Sequence, residues 1–217
     1  MSNYRPIANL SFISKLIENI VKKRLLDHLT SNSLLNLFQS AYTNLPIPRS
    51  TRPRLHYFPF MTIFLMPSPC NKCLCLLDLS AAFDTLDHSI LLHRLFTWFG
   101  ISSVSLQWFT SYISSRTSTV VIHPHSSASA LLTCGVPQGS VLGPVLFNLY
   151  TTPLTSLISA SSISDLLYAD DSQLFISFVP KNFTSAINNL QSTIILISSW
   201  MSSNYLLSTP VKLNSFL

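Results

Sequence analysis

Tyr168-Ala169-Asp170-Asp171 sets two adjacent carboxylates at the end of an apolar stretch, and this feature constrains the chain most. A further carboxylate, Asp78, stands inside the apolar run 74–79. Apolar surroundings rarely carry carboxylates that have no function, because burying a charge is costly. Between them lies the segment 135–144, which is rich in glycine and proline and contains Gln138-Gly139. Together and in this order, the three segments are far more specific than an Asp-Asp pair alone.

The composition is apolar for a chain of 217 residues, with 47% hydrophobic and 10% charged residues. A membrane protein would need about eighteen or more uninterrupted apolar residues, and the best stretch, 57–66, is short and contains Pro59. Arg5, Lys15 and Glu18 interrupt the amino terminus, so it does not read as a signal peptide. We therefore expect an intracellular protein with no membrane partner, and both nucleus and cytoplasm stay open.

The four cysteines offer a Cys-x-x-Cys pair, Cys70 and Cys73, that Cys134 or the histidines at 123 and 125 could complete. No second paired spacing exists, and Cys73 and Cys75 border or enter an apolar run. We therefore favour ordinary buried cysteines, and put the chance of a zinc site at roughly one in ten.

Positive charge is concentrated in the first fifty-four residues, while most acids fall at or beyond Asp78. The simplest reading is a polyanion held by the basic part and a metal held by the acidic part. Lys22-Lys23-Arg24 taken alone is more often a solvated helix face.

Apolar periodicity predicts helices at 11–29, 88–99, 104–112, 145–157 and 182–200. In the first helix Glu18 stands four residues before Lys22, a spacing at which opposite charges support a helix. Strands are expected at 74–79, 117–122, 166–168 and 173–179, the last two forming a hairpin with Asp170-Asp171 at its turn.

The three segments resemble motifs A, B and C of the reverse transcriptase domain of LINE-type, non-LTR retrotransposons. The motifs are Leu76-Leu77-Asp78-Leu79-Ser80-Ala81-Ala82-Phe83-Asp84, the segment 135–144 and Tyr168-Ala169-Asp170-Asp171. The resemblance runs from Tyr4 to about Tyr205. It implies an RNA-directed DNA polymerase that uses an RNA template, a DNA primer and deoxynucleoside triphosphates.

By this resemblance Asp78, Asp170 and Asp171 are the catalytic and metal-binding residues, with Asp171 the more peripheral ligand. Polymerases use two Mg²⁺ ions, and Mn²⁺ is the alternative here; such ions prefer carboxylate oxygens. The resemblance also implies that Phe83 is a steric gate against ribose. Gln138, Gly139 and Tyr168 would complete the substrate-binding set.

The fold implied is α+β, a right-hand polymerase whose antiparallel palm sheet is packed by helices. We expect fingers at 1–72, with 44–72 irregular and rich in proline, and a palm at 73–217 that lacks a thumb. No endonuclease domain is expected before Met1.

Two segments, 44–72 and 207–217, depart from the family pattern. Both look like the product of the family's coding sequence translated one nucleotide out of frame. In that case Lys212 would not be the motif D lysine. The alternative reading is thus a catalytically inactive retrotransposon remnant that at most binds nucleic acid.

Overall fold

The chain divides into two units, one made of residues 1–35 and 83–150 and the other of residues 36–82 and 151–217. The computed structural model describes residues 8–35, 63–66, 71–80, 83–161, 163–168 and 171–208. In the strands at 63–66, 71–80, 164–168 and 207–208, and in much of 171–180, the description is of the backbone. The division into fingers at 1–72 and palm at 73–217 stays a prediction.

All five predicted helices are present in the described part of the chain, with ends shifted by no more than three residues. They are α1 Phe12–Ser31, α2 His88–Thr97, α3 Ser103–Ile113, α4 Gly143–Ser159 and α5 Phe183–Ser203. Local chemistry explains several ends. The Ser11 side chain accepts the Ser14 N–H at the start of α1, and Asp87 accepts the Ile90 N–H at the start of α2. After α2, Gly100 adopts a left-handed conformation with φ +64°.

The second unit contains an antiparallel sheet built on one long strand. Its strands are β1 Ile63–Met66, β2 Asn71–Ser80, β7 Ser164–Tyr168, β8 Asp171–Phe178 and β9 Leu207–Ser208. The order is β1-β2-β8-β7, and β9 pairs with the end of β2 at Leu79 and Ser80. The predicted hairpin is confirmed as β7 and β8, although Asp171 is the first residue of β8 and not part of the turn.

The first unit contains two short strand pairs in place of the single strand predicted at 117–122. The strands are β3 Arg116–Ser118, β4 Val121–Ile122, β5 His125–Ser126 and β6 Ala130–Leu132. β3 pairs with β6, and β4 pairs with β5. The β-branched composition indicated extended backbone correctly, but it could not show that the run changes partner after Ser118.

Buried side chains of the first unit come mainly from α2, α3 and α4 and include Leu91, Leu95, Ile113, Leu146 and Phe147. Each fully buried side chain of this kind contributes about 1.5–3 kcal/mol relative to exposure. Arg94 of α2 is also buried; it donates to the carbonyl oxygen of Tyr150 in α4 and lies over the Tyr150 ring at 4.5 Å. This contact ties α2 to α4.

In α1, by contrast, the apolar positions that predicted the helix are largely exposed. Ile13 is 68% exposed, Leu16 51% and Ile20 53%, whereas Leu25 and Leu29 are buried. The periodicity identified the helix correctly but not its buried face. Within the described residues, no helix combines the length and the apolar character needed to cross a membrane.

Candidate active site

The register of the main sheet brings motifs A and C together in the second unit. β2 and β8 are antiparallel, and the pairing sets Asp78 opposite Asp171. In such a ladder, directly paired residues have Cα atoms about 4.5–5.5 Å apart and share one face of the sheet. Tyr168, at the end of β7, is also paired with Asp171. Asp170 lies outside the described residues.

The end of motif A and motif B are joined in the first unit. Backbone hydrogen bonds run from the Val136 N–H to the Phe83 carbonyl at 2.8 Å and from the Gly135 N–H to the Leu86 carbonyl at 2.7 Å. We refer to residues 135–142 as the motif B loop. Segments about fifty residues apart along the chain thus form one backbone-bonded structure.

Gly135 explains why the two segments approach so closely. Its φ is +83°, a conformation that side-chain-bearing residues rarely adopt. A Cβ at this position would stand 2.8 Å from the Asp84 carbonyl oxygen and 3.0 Å from the Asp84 Cα. Only glycine fits without displacing the backbone that follows Phe83.

Gln138 and Phe83 are each held by a specific contact within this unit. The Gln138 Nε2 donates to Asp84 Oδ2 at 2.9 Å. The ring of Phe83 packs against that of Phe147, with centroids 5.2 Å apart and planes tilted by 42°. Phe83 is half-buried, whereas Gly139 is exposed with φ +88°. The backbone at Gly139 is therefore open to a ligand.

Glu18 of α1 binds the backbone of the motif B loop, and the sequence pattern did not identify it as a site residue. It is only 2% exposed, and its Oε2 accepts the N–H of Val141 at 2.6 Å and of Leu142 at 3.3 Å. The spacing of Glu18 to Lys22 did not indicate that the carboxylate is buried against the loop. Its position seven residues before Leu25, on the helix face that Leu25 and Leu29 bury, was the available signal.

Glu18 also lies beside a pocket of about 400 Å³ in the first unit. The pocket is lined by residues of α1 and α3 and their flanking segments: Leu10, Ser14, Ile17, Glu18, Trp108, Ser111, Tyr112, Ser114, Ser115 and Arg116. Burial raises the pKa of Tyr112 to about 12, and the charge of Glu18 adds to the increase. The Tyr112 hydroxyl is buried beside the side chains of Ser140 and Glu18.

The described His, Cys, Asp and Glu side chains form no group of three that could hold a metal ion. That part of the chain excludes the side chains of Asp78, Asp170 and Asp171, and also Cys70, Cys73 and Cys75. Cys134 is exposed and donates to the Asp84 carbonyl at 3.3 Å.

Residues 1–214 match the family described as reverse transcriptase (RNA-dependent DNA polymerase). The chain belongs to this reverse transcriptase family. Members generally use divalent metal ions and bind an RNA template and a primer. The mixture of helices and small antiparallel sheets is consistent with a reverse transcriptase fold.

Among curated relatives, the chain is 30% identical over 205 residues to the probable RNA-directed DNA polymerase from transposon BS of Drosophila melanogaster. It is 25% identical over 206 residues to the RNA-directed DNA polymerase from mobile element jockey of the same organism. These matches cover 91% and 92% of this chain but 22% of each relative. The chain therefore spans about a fifth of their length, and the predicted LINE-type, non-LTR assignment is confirmed.

A solved structure of apo telomerase from Candida tropicalis, truncated from its C-terminal domain, is similar with a TM-score of 0.47 and 10% identity. The match covers 96% of this chain and 37% of the telomerase chain. Telomerase from Candida albicans, in complex with a fragment of telomeric RNA, has a TM-score of 0.46 and 12% identity, covering 93% and 32%.

Proposed function

We propose that this reverse transcriptase domain catalyses RNA-directed DNA synthesis and that Asp78, Asp170 and Asp171 hold the metal ions of the reaction. The observation that carries the proposal is the pairing of Asp78 with Asp171 across β2 and β8. Two carboxylate-bearing residues at paired positions repel each other, by about 4 kcal/mol for charges 4 Å apart at an effective dielectric of 20. A divalent cation with oxygen ligands relieves that repulsion, so the donor set fits Mg²⁺ or Mn²⁺.

Nucleotidyl transfer requires little covalent chemistry from the protein, because positioning and charge neutralisation do most of the work. When bound, two divalent ions would neutralise the negative charge that grows on the attacked phosphate and the leaving pyrophosphate. Asp78 and Asp170 supply the principal carboxylate ligands, and Asp171 supplies a third at the start of β8. The protein's part is to keep Asp78 and Asp171 at paired positions on adjacent strands.

The nucleotide-binding residues are proposed to be Phe83, Gln138, Gly139 and Tyr168. Support comes from the contacts around the motif B loop, where Gln138 is held on Asp84 and the Gly139 backbone is exposed. A backbone without a side chain allows close approach of a ligand. Phe83, fixed against Phe147, would lie beneath the sugar and exclude a 2′-hydroxyl.

We further propose the right-hand arrangement of fingers and palm, with an RNA template, a DNA primer and deoxynucleoside triphosphates as substrates. The basic residues of the first fifty-four positions would hold the nucleic acid through its phosphates.

Primer extension on an RNA template tests the proposal. The expected result is DNA synthesis that requires Mg²⁺ or Mn²⁺ and disappears in Asp170→Asn and in Asp78→Asn. The exposed carboxylate Asp27 of α1 provides the control, since Asp27→Asn removes one negative charge at a position that belongs to none of the three motifs.

The alternative is an inactive remnant that binds nucleic acid. In that case no extension occurs, RNA binding decreases as salt rises, and Asp170→Asn leaves that binding unchanged. Both segments that depart from the family pattern, 44–72 and 207–217, lie largely outside the described residues. β1 and β9, which fall inside them, pair with β2.

A further inference from the structure

A buried carboxylate on α1 holds the end of the motif B loop. The Oε2 of Glu18 receives the N–H groups of Val141 and Leu142, at 2.6 and 3.3 Å. These amides directly precede α4, where a helix has N–H groups without intrahelical partners. Ser140 complements this contact, because its Oγ accepts the Gly143 N–H at 2.9 Å.

The position suits an ionised side chain. Burial of a carboxylate is costly unless charge-assisted hydrogen bonds compensate for lost water, and two backbone N–H groups supply them here. The amino-terminal end of α4 also carries partial positive charge, which favours a negative group. Tyr112 of α3 and Arg116 of β3 line the same pocket as Glu18.

The same amino-terminal segment is attached to the loop at a second point. The Ala8 N–H donates to the Gln138 carbonyl at 3.0 Å. The two attachments enclose residues 138–142, and the Gln138 side chain reaches Asp84 from within this span. The second half of the loop, residues 138–142, is therefore held at both of its ends by the segment that runs from Ala8 into α1.

We propose that Glu18 is a positioning residue that fixes the motif B loop and thereby sets the affinity for the incoming nucleotide. This inference rests on the nucleotide-binding role proposed above for Gln138 and Gly139. Glu18 does not touch the nucleotide; it acts through the backbone of Val141 and Leu142.

The test compares Glu18→Ala and Glu18→Gln with two controls on the same helix. Asp27→Asn removes an exposed carboxylate, and Leu29→Ala removes a fully buried side chain eleven residues further along the helix. The first readout is hydrogen–deuterium exchange of peptides that cover 135–147. The second is the Kd of a fluorescent deoxynucleoside triphosphate with Mg²⁺, together with kcat and KM in primer extension.

For Glu18→Ala we expect loop exchange to accelerate by about tenfold or more, and both the nucleotide Kd and KM to rise by a similar factor with a smaller change in kcat. Glu18→Gln keeps an acceptor oxygen and should fall between Glu18→Ala and the unsubstituted chain. Asp27→Asn should match the unsubstituted chain, and Leu29→Ala should lower the Tm while leaving the nucleotide Kd unchanged.

The inference is overturned if loop exchange in Glu18→Ala matches that in Asp27→Asn, or if Leu29→Ala raises the nucleotide Kd as much as Glu18→Ala does. It is also overturned if the unsubstituted chain binds no nucleotide. The failure of polymerase function is a separate result: nucleotide binding that depends on Glu18 without primer extension would support the inference and reject catalysis. Primer extension by the unsubstituted chain, together with unchanged loop exchange in Glu18→Ala, would support catalysis and reject the role of Glu18.

Discussion

The side-chain amide of Gln138 donates a hydrogen bond to the carboxylate of Asp84, with Nε2 and Oδ2 2.9 Å apart. This contact joins motif B to the segment that follows the motif A carboxylate. Because both side chains are half-buried, water screens the contact only in part. The bond therefore restricts the orientation of Gln138 before any substrate binds.

A double-mutant cycle with Asp84→Asn and Gln138→Leu should give a coupling energy of about 1.5 kcal/mol, at the low end for a bond to a charged acceptor. Urea denaturation of the four proteins measures it. Gln107 of α3 is exposed and serves as the control, so Gln107→Leu combined with Asp84→Asn should show no coupling. A coupling near zero for Gln138 would mean that the bond does not persist in solution.

The paired carboxylates predict that metal ions stabilise the fold. With free Mg²⁺ at a hundred times its Kd, the stabilisation is about 2.7 kcal/mol, or roughly 5–10 °C in Tm for a chain of this size. Asp78→Asn should raise the Tm without metal, since it removes a repulsion, and should abolish the increase that Mg²⁺ produces. Differential scanning fluorimetry with and without Mg²⁺ measures both effects. A Tm that ignores millimolar Mg²⁺ in the unsubstituted chain would contradict the metal site.

Phe83→Val should admit ribonucleotides if Phe83 is the steric gate. The substitution also breaks the aromatic pair with Phe147, which is worth about 0.5–1.5 kcal/mol beyond its buried area. Phe147→Leu is the matched control, because it breaks the same pair and keeps the Phe83 side chain. Ratios of kcat/KM for deoxynucleotides and ribonucleotides should change only in Phe83→Val. Equal ratios in all three proteins would remove the assignment.

Gly135→Ala should destabilise the protein far more than Gly100→Ala, although both glycines have positive φ. A Cβ at Gly100 meets nothing within 4 Å, so that substitution should cost only about 1–2 kcal/mol for the left-handed backbone. A Cβ at Gly135 would stand 2.8 Å from a backbone oxygen, so we expect about 3 kcal/mol or more. Denaturation midpoints compare the two. Similar losses would indicate that the segment at Asp84 can move away.

Stability should fall between about pH 10 and pH 12 because of Tyr112. Its pKa is raised from 10.0 to about 12 in the folded chain, mainly by burial. The folded state therefore keeps this proton more tightly than the unfolded state, and the associated stability is present below pH 10 and lost as pH rises to 12. Tyr112→Phe has no ionisable hydroxyl, so its stability should not decrease in this way.

The measurement is the difference in unfolding free energy between the unsubstituted chain and Tyr112→Phe as a function of pH. This difference should be constant below pH 10, and above pH 10 the unsubstituted chain should lose stability relative to Tyr112→Phe. Tyr205, which is 64% exposed, provides Tyr205→Phe as a control that should show no such change. A difference that stays flat to pH 12 would rule out a buried, neutral Tyr112.

The helices and the main strands followed from the sequence because their signals are local. Apolar spacing of three and four residues identified α1 and α5, and a continuous apolar run identified β2. The three motifs likewise identified the family, since their residue types and order are written directly in the chain. Local capping by Ser11 and Asp87 then defines where helices begin.

Tertiary structure decided which distant groups meet. The pairing of Asp78 with Asp171 depends on strand register, and a shift by one residue would change every partner. The burial of Glu18 was not predicted, and it depends on backbone N–H groups more than a hundred residues away. The exposed stripe of α1 likewise shows that periodicity reveals a helix but not what packs against it. Such choices are non-local, because they depend on which partners the folded chain brings within hydrogen-bonding distance.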